Sequence, residues 1–169
     1  GIIAAVNRNT NVDYTAMVFS QVGVSMPSFW LGLMLILLFG KYLNVLPPSG
    51  YVPLTEAPVE SLKRTIMPAL TLGVINGAVI TRFLRSSMLE ELNQDYIRTA
   101  KASGLSAKKV IFKYTLKNAL IPTLTIIGLQ VGWLLGGVVI VEAVFAWPGL
   151  GRLILKGIER RDYPIVQAG

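Results

Sequence analysis

The chain has 169 residues, 53% of them hydrophobic and 15% charged, with no Cys and no His. Soluble domains carry roughly 25% charged residues, so this deficit marks a membrane protein; the missing thiols and imidazoles exclude disulfides, thiolate chemistry and the usual zinc sites. The net charge of +7 rests on Lys and Arg placed between apolar runs with no aromatic-interleaved patch, which reads as loops facing the cytoplasm and argues against nucleic acid as a partner.

Gly1 to Val6 (GIIAAV) is apolar and is expected to be the tail of a membrane helix. Arg8, the NRNTN stretch and Asp13 make a short hydrophilic connection. Residues 14–40 then hold no charge, a run long enough to cross a bilayer core that needs roughly 20 apolar residues as helix. Pro27 is expected to bend this span. Phe29 and Trp30 lie too near its middle to be interface anchors, and packing against other helices suits them better than substrate contact. Asn44 to Arg64 carries Pro47, Pro48, Pro53 and Pro58 and is read as an ordered loop at the membrane face, with Tyr42 and Tyr51 as interfacial aromatics.

Residues 65–81 form a second charge-free run, with Pro68 expected in the first helical turn and Asn76 and Gly77 near the middle. Arg82 and Arg85 mark the level of the lipid headgroups, and a basic loop, residues 86–117, follows. Within it, Leu89 to Ser103 has Leu89, Leu92, Tyr96 and Ala100 at spacings of three and four, which predicts a helix. Gly104 stops that helix, and Ser106 can cap the next, whose first-turn Lys108 and Lys109 oppose the helix dipole.

Residues 118–141 are the third span. Gly128, Gly132 and Gly136 repeat every four residues and place a small-residue face where another backbone can pack. Thr123 and Gln130 lie on the other side, as candidates either for lining a translocation path or for hydrogen bonds between helices. Glu142 to Gly151 (EAVFAWPGLG) is an aromatic, Gly-rich turn, and Leu153 to Asp162 a short amphipathic surface helix. Tyr163 to Gly169 is read as the approach to a further helix.

Nine of the sixteen Lys and Arg lie on the face shared by Gly1 and the 86–117 loop, so the positive-inside rule puts that face in the cytoplasm by a small margin. No GxxxxGK[ST] phosphate loop is present; Gly149-Leu150-Gly151-Arg152 is too short and wrongly flanked. No carboxylate falls in a predicted span, which argues against a proton-driven carrier. A transporter without such a carboxylate would draw its energy from elsewhere.

The stretch Asp95 to Pro122, DYIRTAKASGLSAKKVIFKYTLKNALIP, resembles the cytoplasmic EAA loop of ABC-importer permeases. Thr99 and Ala100 match its two small positions, Gly104 its Gly, and Ile121-Pro122 its closing pair. Arg98 stands where the leading Glu would be, and the Gly-to-Pro spacing is long. Both departures resemble the dipeptide/oligopeptide/nickel branch, as do Pro27 to Gly32, Leu46 to Tyr51 and Glu142 to Gly151.

The resemblance implies an all-α, polytopic transmembrane helical bundle of the type I importer kind, with a cytoplasmic helix-turn-helix, residues 1–169 being part of one transmembrane domain. It implies an ATPase-coupling loop of Tyr96, Arg98, Thr99, Ala100, Lys101, Ala102, Ser103, Gly104, Leu105 and Ser106. It also implies a bacterial or archaeal cytoplasmic membrane and a substrate that is a di- or oligopeptide. The partners expected are ABC ATPase subunits, which would hold ATP and Mg, a homologous second permease, and an extracytoplasmic substrate-binding protein. The chain itself is expected to bind no cofactor and to catalyse no reaction. The rival classes are an ion-coupled secondary carrier and a membrane scaffold without transport.

Overall fold

The computed structural model describes residues 1–135 and 139–168. All regular structure among them is helical: α1 (Ile2–Val6), α2 (Asn11–Ser25), α3 (Ser28–Leu35), α4 (Pro58–Leu92), α5 (Asp95–Ala102), α6 (Ala107–Lys109), α7 (Leu116–Leu135), α8 (Val139–Val144), α9 (Leu150–Glu159) and α10 (Tyr163–Ala168). A π-helical turn, Ile36–Tyr42, extends α3, and a second, Val110–Thr115, joins α6 to α7. By length and composition, α4 and the helical stretch Ala107–Leu134 can each cross a membrane; Asn11–Ser25 and Ser28–Tyr42 meet that test only as a pair.

Local chemistry sets these boundaries. Pro27 disfavours helix at the residue before it. It is itself extended, with φ −61° and ψ 135°, and its carbonyl opens α3 by accepting the Leu31 N–H at 3.1 Å. The π-helical turn after α3 ends at Tyr42, and Asn44, two residues on, has a φ of 53°, a left-handed conformation that Asn tolerates.

α4 starts well before the charge-free run. Pro58 fills its first turn, where a missing N–H is harmless, and Glu60 pairs with Arg64 one turn on at 2.9 Å. Pro68 therefore lies inside the helix rather than in its first turn. A charge-free run bounds the lipid-facing part of a helix, not the helix. At the other end α4 stops at Leu92, so the helix expected over 89–103 is two helices. The Asn93 side chain donates back to the Leu89 carbonyl at 2.9 Å, and Gln94 is extended. Such a side-chain bond competes with the backbone ladder and ends the helix.

The chain forms two compact units, Gly1–Ser25 with Asn76–Gln130 and Met26–Ile75 with Val131–Gly169. In the first, Ala5 and Ala119 close on Met88, ringed by Ile2, Leu84, Leu89, Ile111 and Leu116. The two alanines let α1 and α7 approach α4 closely, the packing mode available where lipid supplies no hydrophobic drive. In the second, Met67, Val141 and Phe145 pack with Leu35, Ile36, Phe39, Leu46, Leu72 and Val144. Gly32 permits the α3–α8 contact, since a Cβ there would lie 3.1 Å from the Phe145 ring.

The Pro-rich segment is tied down within this second unit. Gly50 N–H donates to the Phe145 carbonyl at 2.9 Å, Arg64 Nη1 donates to the Ser49 carbonyl at 2.5 Å, and the Tyr51 and Trp147 rings meet edge to face at 5.1 Å. α9 begins at Leu150, three residues earlier than its amphipathic pattern predicts. The Glu142 carboxylate of α8 accepts the Arg152 N–H at 2.7 Å and so satisfies one open N–H in the first turn of α9.

Candidate coupling hairpin

The basic segment folds as a helical hairpin. α5 ends in a paired closure: Gly104 N–H donates to the Lys101 carbonyl at 3.0 Å and Leu105 N–H to the Ala100 carbonyl at 3.3 Å. This is the Schellman arrangement, and it needs a left-handed residue where Gly104 stands with φ +76°. Leu105, the residue after it, turns inward onto Ile97, Ala100 and Val110, with Tyr114 beside them. Ser106 stands at the cap of α6 in extended conformation, φ −60° and ψ 144°, but its side chain makes no capping bond. The expected cap is thus positional only; Val110 N–H is satisfied by the Ser106 backbone carbonyl at 3.0 Å.

The return limb is π-helical from Val110 to Thr115. Thr115 is buried and its hydroxyl donates to the carbonyl of Val110, five residues back, at 3.2 Å. The wider turn holds Val110 in the hairpin interior. Of the ten residues expected to couple, Ala100 is buried and Leu105 half-buried, as the hairpin's own core; Tyr96, Arg98, Thr99, Lys101, Ala102, Ser103, Gly104 and Ser106 are exposed. Arg98 pairs with Asp95 at 3.3 Å, but both side chains are largely in solvent and the pair adds little.

One constellation holds the hairpin to its unit, and a second ties α2 to α4. The Tyr96 hydroxyl donates to Glu91 of α4 and accepts from Asn118 Nδ2 of α7 at 2.8 Å, so one phenol joins three helices. Partial desolvation of the phenol, reinforced by the Glu91 carboxylate, pushes Tyr96 above its ordinary pKa although the residue as a whole is exposed. Deeper in, Asp13 of α2 takes both Nε and Nη2 of Arg85 at 2.5 Å, and also the Asn9 N–H at 3.0 Å. Asp13 is buried. The sequence pattern puts Arg85 among lipid headgroups and Asp13 in a loop; 72 residues separate the two, and neither periodicity nor spacing signals the pair.

The third span's candidates are placed as follows. Gly128 and Gly132 are exposed, with nothing within 4 Å of a Cβ built on either, and Gly136 lies outside the described residues. Thr123 is buried and donates to the Ala119 carbonyl at 2.8 Å. Gln130 holds its amide oxygen out of solvent without a hydrogen-bond partner among the described residues.

Residues 1–169 match the family described as the binding-protein-dependent transport system inner membrane component. The chain belongs to this family. Such chains are inner-membrane permease subunits and not enzymes. The chain is 44% identical over 192 positions to the dipeptide transport system permease protein DppB of Escherichia coli K12, covering 100% of this chain and 57% of that protein. It is 44% identical over 189 positions to the di/tripeptide transport system permease protein DppB of Pseudomonas aeruginosa UCBPP-PA14, covering 100% and 56%. It is 47% identical over 168 positions to the glutathione transport system permease protein GsiC of Escherichia coli O1:K1, covering 99% and 52%. The chain spans about half the length of the curated relatives it matches.

Proposed function

We propose that this chain is the core of a permease subunit in an ATP-driven importer of di- or oligopeptides. It forms half of the translocation path with a homologous second permease. Separate ATPase subunits bind ATP and Mg, and an extracytoplasmic binding protein delivers the peptide. The hairpin Asp95–Thr115 is the part that meets the ATPase. The observation that carries this role is the division of its residues: Ile97, Ala100, Leu105 and Val110 make a small private core, while the polar residues around Gly104 stay exposed. A hairpin with its own interior moves as a body, and the Tyr96–Glu91–Asn118 bonds pass its displacement to α4 and α7.

Support for the peptide substrate comes from the relatives, whose names specify dipeptides, di/tripeptides and glutathione, itself a tripeptide. The test is reconstitution of the full-length permease with its partners in vesicles, measuring uptake of a radiolabelled dipeptide with ATP inside. Uptake that needs ATP and the binding protein supports the reading. Uptake driven by a proton gradient without ATP overturns it in favour of a secondary carrier.

A further inference from the structure

Arg82 and Arg85 lie one turn apart on α4 and have opposite fates. Arg85 is neutralised by Asp13. Arg82 has no carboxylate within ion-pairing distance among the described residues; its Nη1 donates to the neutral Gln21 Oε1 at 3.1 Å, which orients the guanidinium without cancelling its charge. Arg82 also lines a groove of about 390 Å³ together with Val24, Val79, Phe83 and Ser86. On α4 these make two adjacent rows, Val79–Phe83 and Arg82–Ser86, each one turn long. The Ser86 hydroxyl is exposed and has no protein partner among the described residues.

The groove has a polarity gradient along the helix. Val79 belongs to the charge-free run 65–81 and Val24 to α2, so the apolar walls lie toward the bilayer. Arg82 is the first charge after that run, where a cation meets the headgroup layer. A small soluble anion would not need three apolar walls, and an apolar chain alone would leave the cation unmatched. We propose that this groove seats an anionic phospholipid. Its phosphate takes bidentate hydrogen bonds from the Arg82 guanidinium and one from the Ser86 hydroxyl, and an acyl chain lies along Val24, Val79 and Phe83.

The test uses the assembled transporter reconstituted in bilayers of phosphatidylcholine with phosphatidylglycerol, then released for native mass spectrometry, which counts the lipids retained per complex. Arg82→Gln is expected to weaken phosphatidylglycerol retention roughly tenfold, the effect of losing one charge-assisted contact. Arg82→Lys retains part of it. Lys113→Gln, an exposed hairpin lysine, leaves it unchanged. Val24→Trp, which fills the groove with Arg82 intact, also lowers retention and decides the matter if Arg82→Gln fails to assemble. Excess inorganic phosphate does not displace the lipid. Unchanged retention in both Arg82→Gln and Val24→Trp overturns the proposal, as does displacement by phosphate alone. Loss of dipeptide binding in Arg82→Gln with lipid retention intact also overturns it, and assigns the cation to the peptide carboxylate.

Discussion

Replacing Gly104 separates the shape of the turn from the surface it presents. Its φ of +76° is a conformation that L side chains adopt at a cost, yet a Cβ built there meets nothing within 4 Å. The folding penalty of a substitution is therefore backbone strain alone, about 1 kcal/mol, and less for Asn, which enters the left-handed region more readily. That is a factor of about five in the hairpin's folding equilibrium. Burial of Ile97 and Val110, each contributing about 1.5–3 kcal/mol in an aqueous hairpin, outweighs it. Gly104→Asn and Gly104→Asp are thus both expected to insert in the membrane and form the hairpin. Protection of the Leu105 amide from hydrogen exchange checks this, because its bond to the Ala100 carbonyl exists only in the closed turn. Gly104→Asp is expected to lose peptide-stimulated ATPase activity and uptake in the reconstituted complex by far more than fivefold, since its charge intrudes on the surface proposed to meet the ATPase. Gly104→Asn is expected to keep folding but not full transport. Wild-type stimulation and uptake in Gly104→Asp would show that this loop does not carry the coupling. Complete rescue by Gly104→Asn would assign Gly104 to the turn alone.

Gly151→Ala places a Cβ 2.6 Å from Val139 Cγ2 and 3.1 Å from the Val139 backbone, which cannot swing aside; a loss of about 1–3 kcal/mol is expected in thermal unfolding of the purified permease. Gly149→Ala instead meets the flexible Glu142 carboxylate, so displacing it costs only the bond to the Arg152 N–H, about 1 kcal/mol in the same measurement. The raised Tyr96 phenol contributes stability that is complete below the unfolded value near 10 and is lost as pH rises through the higher folded value. Protection factors in the hairpin, which divide out the base catalysis of exchange, should therefore fall above about pH 10 in wild type, and Tyr96→Phe should show low protection with no such step. Ser49→Cys and Ser106→Cys, both at exposed positions in a chain with no native Cys, are expected to label from opposite sides: Ser49→Cys with an impermeant reagent in intact cells, Ser106→Cys only after the membrane is opened.

Features that depend on neighbours in the chain are legible in the sequence itself. The apolar runs, the break at Pro27 and the stop at Gly104 follow from helical period and from what Pro and Gly do to a backbone; the stripe Leu89, Leu92, Tyr96 and Ala100 shares only Ala100 with the hairpin core of Ile97, Ala100 and Val110. The family is legible for the same reason, because its signature is a set of short contiguous motifs. Helix ends are less so. α4 begins at Pro58 and ends at Leu92 because charged residues extend a helix beyond the lipid, and because the Asn93 amide competes for a backbone carbonyl. Composition does not report either effect.

What only the tertiary structure decided are the polar pairings between different helices. Asp13 meets Arg85, Tyr96 joins Glu91 to Asn118, and Glu142 satisfies one open N–H in the first turn of α9. By sequence each of these is an ordinary interfacial or loop residue. A buried charge or an open helix end must find a partner, but the sequence states only that need. Which partner answers is set by where the packing of Ala5, Met88 and Ala119, or of Met67, Val141 and Phe145, brings the helices.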